Sequence, residues 1–172
     1  MTPSRPLSSA RLDHIPLSAA DQPLIDALYG DKRVTASFGI PPLTREELDA
    51  RLQEALSPSW AAGDFGFFRL VLRDSGDDVG FGGIAPVDNE PGVGDIGYAF
   101  KPMFWGQGFA SESVPVWIRW GFTALKLEAL IANVTASHAS AHILEKSGFI
   151  VIKDDGGPKR LLLSRPSETI TV

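Results

Sequence analysis

The stretch Trp105-Gly106-Gln107-Gly108-Phe109-Ala110 decides how this 172-residue chain is read. It stands between two runs of different period. Upstream, Gly94 to Phe100 reads as a strand that stops at Pro102. Downstream, Val114, Trp117, Ile118, Gly121, Phe122 and Leu125 stand at i, i+3, i+4, i+7, i+8 and i+11, one apolar face of a long helix. Two glycines in a loop that opens a helix let backbone N–H groups converge. There the helix offers them no acceptors and its dipole is positive. The loop therefore reads either as a phosphate or pyrophosphate site or as a plain glycine-rich turn. It lacks the Gly-Lys-Ser/Thr of a nucleotide-hydrolysing P-loop. The next strand ends in Val134-Thr135-Ala136-Ser137, without a ribose-binding acid.

Working outward, Arg11 to Leu17 alternates as a first strand, and a helix from Ser18 to Tyr29 stops at Gly30. Thr44 and Glu47 form a capping box, Leu43 and Leu48 a hydrophobic staple, and Pro58 closes that second helix. Gly66 to Arg73 and Val79 to Val87 flank the turn Asp74-Ser75-Gly76-Asp77, so they read as a hairpin. After the long helix, Leu127 to Val134 is apolar enough for a sheet centre. A short helix from Ser137 to Ser147 ends at Gly148, and Phe149 to Lys153 with Arg160 to Ser164 makes a last hairpin. This order predicts an α+β domain with a mixed, mainly antiparallel sheet.

Composition narrows the chemistry. There is no cysteine, hence no disulfide frame, thiolate nucleophile or Cys-based zinc site. The net charge of −5 argues against a large nucleic-acid footprint. No apolar run approaches the ~20 residues that span a bilayer, so the expectation is a soluble, cytoplasmic protein. With 44% hydrophobic residues, the 17 glycines and 13 prolines punctuate many short elements rather than a disordered chain. Two other glycine clusters, Gly80-Phe81-Gly82-Gly83-Ile84-Ala85 and Gly92-Val93-Gly94-Asp95-Ile96-Gly97, imitate a dinucleotide fingerprint. Neither opens a helix, so they mark bulges or close backbone approach inside strands.

Three motifs occur in order along the chain. The first is Ser9-Ala10-Arg11-Leu12 with Pro16-Leu17-Ser18, Asp21 and Leu28-Tyr29-Gly30-Asp31. The second is Ile96-Gly97-Tyr98 with Trp105 to Glu112, and the third is Leu144-Glu145-Lys146-Ser147-Gly148-Phe149. Together they resemble the GNAT superfamily of N-acetyltransferases, most closely its group of ribosomal-protein alanine and serine N-acetyltransferases. The resemblance runs from Arg11 to about Arg160. Chain length predicts one domain over residues 1–172, with loose termini at 1–8 and 165–172, which agrees with the extent of the resemblance. The resemblance also implies a twisted sheet of about seven strands with about four helices, splayed between the fourth and fifth strands.

The implied acetyl donor is acetyl-CoA, with no metal. Its pantetheine arm would lie along the fourth strand at Ile96, Tyr98 and Phe100. Its pyrophosphate would rest on the loop of Trp105, Gly106, Gln107, Gly108, Phe109, Ala110 and Ser111, with Ser137 and Ser140 nearby. A side chain at Gly106 or Gly108 would block backbone approach. Direct attack of an amine on a thioester needs a base, an oxyanion donor and an acid for the thiolate. The resemblance offers Asp95 as base and Ser140 as acid, and Glu112 matches a recurrent acid of the group. Read as residues alone, Asp95 is equally a turn residue, Glu112 a helix-end carboxylate, and Ser137 and Ser140 a capping pair. This sequence has Ser137 where relatives carry Asn and Leu144 where other branches carry Tyr.

The implied partner is an amine: a peptide or protein N-terminus, or a small molecule. No nucleic acid or membrane partner is expected, and the chain is a monomer or homodimer. A catalytically idle acyl-CoA-binding module is the alternative. His138 and His142 stand i, i+4 without a third ligand, and His14 faces the acceptor cleft or is partly buried. Trp117 belongs to the core stripe, Trp120 falls off it, and Pro115 should kink the long helix near Ser111.

Overall fold

The computed structural model describes residues 7–135 and 137–167. The expected loose stretches at 1–6 and 168–172, and Ala136, lie outside the described residues, as does the side chain of His138. The strands are β1 (Leu7–Ser8), β2 (Leu12–Pro16), β3 (Gly66–Leu72), β4 (Asp78–Pro86), β5 (Val93–Phe100), β6 (Ala129–Val134), β7 (Ile150–Lys153) and β8 (Lys159–Ser164). They form one sheet in the order β1-β2-β3-β4-β5-β6-β8-β7, antiparallel except for β5 beside β6. The α-helices are α1 (Gln22–Tyr29), α2 (Lys32–Ser37), α3 (Arg45–Ala55), α4 (Pro58–Ala62), α5 (Phe109–Thr123) and α6 (His138–Lys146).

The α+β architecture matches the sequence expectation, with local differences that have physical causes. The eighth strand is β1, where Leu7 and Ser8 pair with His14 and Asp13 inside the expected loose lead-in. Helix α2 escapes periodicity because it has six residues, among them β-branched Val34 and Thr35. It starts because the Asp31 side chain accepts the Arg33 N–H. Pro58 opens α4 rather than closing α3, since proline at a first helical position removes a donor that is orphaned anyway. At the other end, Arg165 is tied rather than loose. Its backbone N–H donates to Glu128 O at 2.8 Å and its Nε to Leu127 O at 2.7 Å.

Two cores lie on the two faces of the sheet. One face packs Phe68, Leu70, Ile84 and Ile96 against α5 and α6. The other packs Phe81 and Ala99 against α1 to α3. Helix α3 is started by the expected capping box, with Glu47 Oε2 accepting the Thr44 N–H at 2.8 Å. Helix α5 runs unbroken through Pro115. It buries Trp120 as well as Trp117, because its residues from Ser113 to Gly121 face both the sheet and its flanks. Trp120 meets Phe68 edge-on at 5.0 Å.

Gly80, Gly82, Gly83 and Gly94 serve close approach inside strands, whereas Gly97 has room for a Cβ. A Cβ at Gly82 would lie 2.3 Å from Trp117 Cη2, and Trp117 is 0% exposed. Its ring has nowhere to retreat. Gly82→Ala is therefore expected to cost about 1–3 kcal/mol by overpacking. A lower urea midpoint at unchanged m-value checks this. His14 is fully buried between Trp117 and Phe68, and burial pulls its pKa down to about 4.

Candidate active site

Strands β5 and β6 pair over only three rungs, Val93–Ala129, Gly94–Leu130 and Asp95–Ile131, and then part. Past that point β5 stays with β4 through Phe100, and β6 stays with β8. The wedge between them opens into a cavity of about 500 Å³. Its walls are Ile96 to Phe100 on one side and Ala132 to Thr135 on the other. Phe104 to Gly106 and Gly108 to Ser111 lie at one end, and Ser137, Ser140 and Leu144 close over it. An open sheet edge leaves backbone N–H and C=O groups ready to pair with an extended, amide-bearing ligand.

The glycine loop ends the wedge. Gly106 and Gly108 have φ of 71° and 83°, left-handed values that other residues adopt at a cost. A Cβ at Gly106 would meet nothing within 4 Å, and one at Gly108 only Arg11 Nη2 at 3.4 Å. The glycines are thus required for backbone conformation rather than for room within the protein. Gly108 is the N-cap of α5, and the N–H groups from Gln107 to Ala110 meet no acceptor among the described residues. Unpaired N–H groups at a helix start are the arrangement that suits an anion. The Trp105 indole N–H donates to Phe100 O at 2.7 Å, fastening the loop to the end of β5.

Asp95 sits on the last paired rung, where the strands part. Its side chain shares the sheet face of Ala99, the face covered by α1 and α2. Burial pushes its pKa up to about 6, against a hydrogen bond from Asn133 Nδ2 at 3.2 Å and the charge of Arg160. Arg160 in turn grips Glu90, at 2.9 and 3.2 Å. Asp95 does not itself line the cavity; its partner Asn133 does. A carboxylate that titrates near neutral pH suits proton abstraction.

On the opposite face of β5, the Tyr98 hydroxyl is buried and approaches Ser140 without reaching hydrogen-bond geometry. Burial also raises the pKa of Tyr98. Both residues line the cavity, so two hydroxyl side chains stand in the same wall. Ser137 Oγ accepts the Ser140 N–H at 3.2 Å, which is the capping arrangement, while Ser137 also lines the wall. Glu112 behaves differently. It does not line the cavity, and its carboxylate accepts from Ser9 Oγ at 2.6 Å, Arg11 N at 3.0 Å and Arg11 Nε at 2.7 Å. Burial opposes its ionisation, yet those bonds and the Arg11 charge hold its pKa below the usual carboxylate range.

Of the residues singled out from sequence, Ile96, Tyr98, Phe100, Trp105, Gly106, Gly108, Phe109, Ala110, Ser111, Ser137 and Ser140 share the cavity wall. Gln107 turns its carbonyl to Arg11 and its side chain to Met103 O. Sequence reasoning missed Val34, Ser37 and Phe38, which α2 brings to the wall, and Asn133 beside Asp95. A polar Asn133 within the apolar run Leu130-Ile131-Ala132-Asn133-Val134 was the available signal. Among the described residues no helix is long and apolar enough to cross a membrane, and no group of three or more His, Asp or Glu is placed to hold a metal.

The sequence matches the family described as the acetyltransferase (GNAT) domain over residues 11–150. It is 28% identical over 128 residues to the uncharacterized N-acetyltransferase p20 of Bacillus licheniformis, covering 74% of this chain and 72% of that one. The fold is similar to that of the ribosomal-protein-S5-alanine acetyltransferase of Vibrio fischeri, at TM-score 0.75 and 16% identity. That match covers 95% of this chain and 98% of the other. It is similar also to the spermidine N-acetyltransferase of Vibrio cholerae, solved in complex with CoA and spermine. There the TM-score is 0.73 at 16% identity, over 90% of this chain and 96% of that one.

Proposed function

The chain belongs to the acetyltransferase (GNAT) domain family, and from that membership we propose that it moves an acetyl group from acetyl-CoA directly to a primary amine. The observation that carries the reading is the wedge between β5 and β6, which runs into the glycine loop at the start of α5. Its open strand edge fits the amides of a pantetheine arm, and the converging N–H groups of Gln107 to Ala110 fit a pyrophosphate. Bound there, acetyl-CoA supplies a thioester carbonyl and a thiolate leaving group. The protein has no cysteine to form an acyl-enzyme, so one-step transfer is favoured over a cysteinyl intermediate.

Asp95 takes the proton of the incoming ammonium at Oδ2 or Oδ1, directly or through one water. Asn133 holds that carboxylate in place. Ser140, with Tyr98 beside it, returns a proton to the departing sulfur. Magnitudes favour one class of acceptor. With its pKa near 6, Asp95 takes a proton from an α-ammonium of about 8 at a cost of about 2.7 kcal/mol. From a lysine-like ammonium near 10.4 the cost is about 6 kcal/mol. An α-amine, such as a peptide N-terminus, is the better match, and small amines of low pKa come next.

A thiol-release assay with acetyl-CoA and a panel of peptides, amino acids and polyamines tests this. Release that depends on the amine, fastest with α-amines, is the expected result. Tight acetyl-CoA binding with no release for any amine would instead make the chain an idle acyl-CoA-binding module.

A further inference from the structure

The glycine loop is held from behind by a residue outside the cavity. Arg11 precedes β2 and is absent from the cavity wall. Its Nη2 donates to Gln107 O at 2.8 Å while its Nε pairs with Glu112 at 2.7 Å. The guanidinium carbon lies 4.2 Å from the centroid of the Phe109 ring, and Phe109 in turn meets Phe104 edge-on. One planar group thus touches three successive parts of the loop and first helical turn: the carbonyl of 107, the ring of 109 and the carboxylate of 112.

The peptide between Gln107 and Gly108 gives this contact a direction. In a trans peptide the C=O and N–H point opposite ways. Fixing the Gln107 carbonyl toward Arg11 turns the Gly108 N–H away from Arg11. Gly108 lines the cavity and Arg11 does not. Glycine at 106 and 108 puts no Cβ in the way of rotating this peptide, so an external restraint decides its orientation. Glu112 completes the restraint. It fastens Arg11 and also takes the Ser9 hydroxyl, tying the segment before β2 to the start of α5 across more than a hundred residues of sequence.

We propose that Arg11 is a positioning residue for acetyl-CoA: with Glu112 it locks the Gln107–Gly108 peptide so that the Gly108 N–H faces the pyrophosphate. This rests on the acetyl-CoA reading given above. Arg11 keeps 45% of its side chain exposed, so its ion pair alone contributes little to stability. What it provides is preorganisation, the ordering done before the ligand arrives. Lysine does not replace it, because a single ammonium cannot reach Gln107 O, pair with Glu112 and stack on Phe109 together.

Calorimetric titration with acetyl-CoA, run beside thermal melts, tests the assignment. Arg11→Gln and Arg11→Lys are each expected to weaken acetyl-CoA binding about tenfold, with kcat at saturating acetyl-CoA within about twofold of wild type. Arg73→Gln is the control. Arg73 grips the same segment through Ser9 O, Ala10 O and Asp13, but touches no atom of the loop. It is expected to lower the melting temperature while leaving acetyl-CoA affinity within about twofold. Arg11 variants that bind like wild type overturn the proposal. So does a loss of affinity in Arg73→Gln equal to that of Arg11→Gln, because general loosening then explains both. Wild type that binds no acetyl-CoA removes the underlying reading and this inference with it.

Discussion

Asp95→Asn is expected to lower kcat about 100-fold while the KM for acetyl-CoA changes less than about twofold, the range of a lost general base. The amide keeps the shape and the contact to Asn133, but it cannot take a proton. The pH profile carries the same signature. At pH 5 a carboxyl with pKa about 6 is mostly protonated and idle, and at pH 7 it is mostly ionised. Wild-type kcat/KM should therefore rise through about pH 6, and that limb should be missing from the variant. Stability moves the opposite way. The folded state binds the Asp95 proton more tightly than the unfolded chain, whose value is 3.8. The contribution of this group is thus largest below about pH 4 and is lost as pH rises through about 6. Asp95→Asn removes a half-buried charge, so it should be more stable than wild type at pH 7 by up to about 3 kcal/mol. Chemical denaturation at pH 4 and pH 7 reads this, with the advantage of the variant present only at the higher pH. A variant with near wild-type kcat would remove Asp95 from the mechanism.

Gly108→Val is expected to weaken acetyl-CoA binding by about 30-fold or more, the equivalent of about 2 kcal/mol of backbone strain. At φ of 83° a β-branched residue is strongly disfavoured. The loop relieves that strain by rotating the peptides whose N–H groups form the anion site. The fold should survive, since Gly108 caps α5 at the surface and its conformation supports no core contact. Calorimetry with acetyl-CoA measures the loss. A folded Gly108→Val protein with wild-type affinity would show that the loop does not hold the pyrophosphate.

The parts of the molecule legible in sequence were those written in local patterns. The glycine pair before an amphipathic helix marked the loop. The Thr44 and Glu47 pair marked the start of α3, and the apolar run ending at Val134 marked β6. What was illegible depends on contacts between distant residues. Nothing near Glu112 in sequence announces that Ser9 and Arg11 will occupy its oxygens, so the resemblance and the helix-end reading stood side by side there. His14 looked available because a lone histidine in a strand carries no sign of the Trp117 ring that covers it. Helix α2 is too short to show a period, yet it brings Val34, Ser37 and Phe38 to the cavity wall. The poise of Asp95 likewise needs the depth of the wedge and the approach of Asn133 from a parallel strand 38 positions away.

Direct transfer is the centre of this account, and one mixing experiment tests it most plainly. The protein is mixed with acetyl-CoA alone, free thiol is followed, and an α-amine peptide is then added while protein and peptide masses are recorded. The account predicts no thiol before the peptide, then release matched mole for mole by peptide that has gained one acetyl group. A burst of thiol with acetylated protein before any amine, or no release after it, would contradict it.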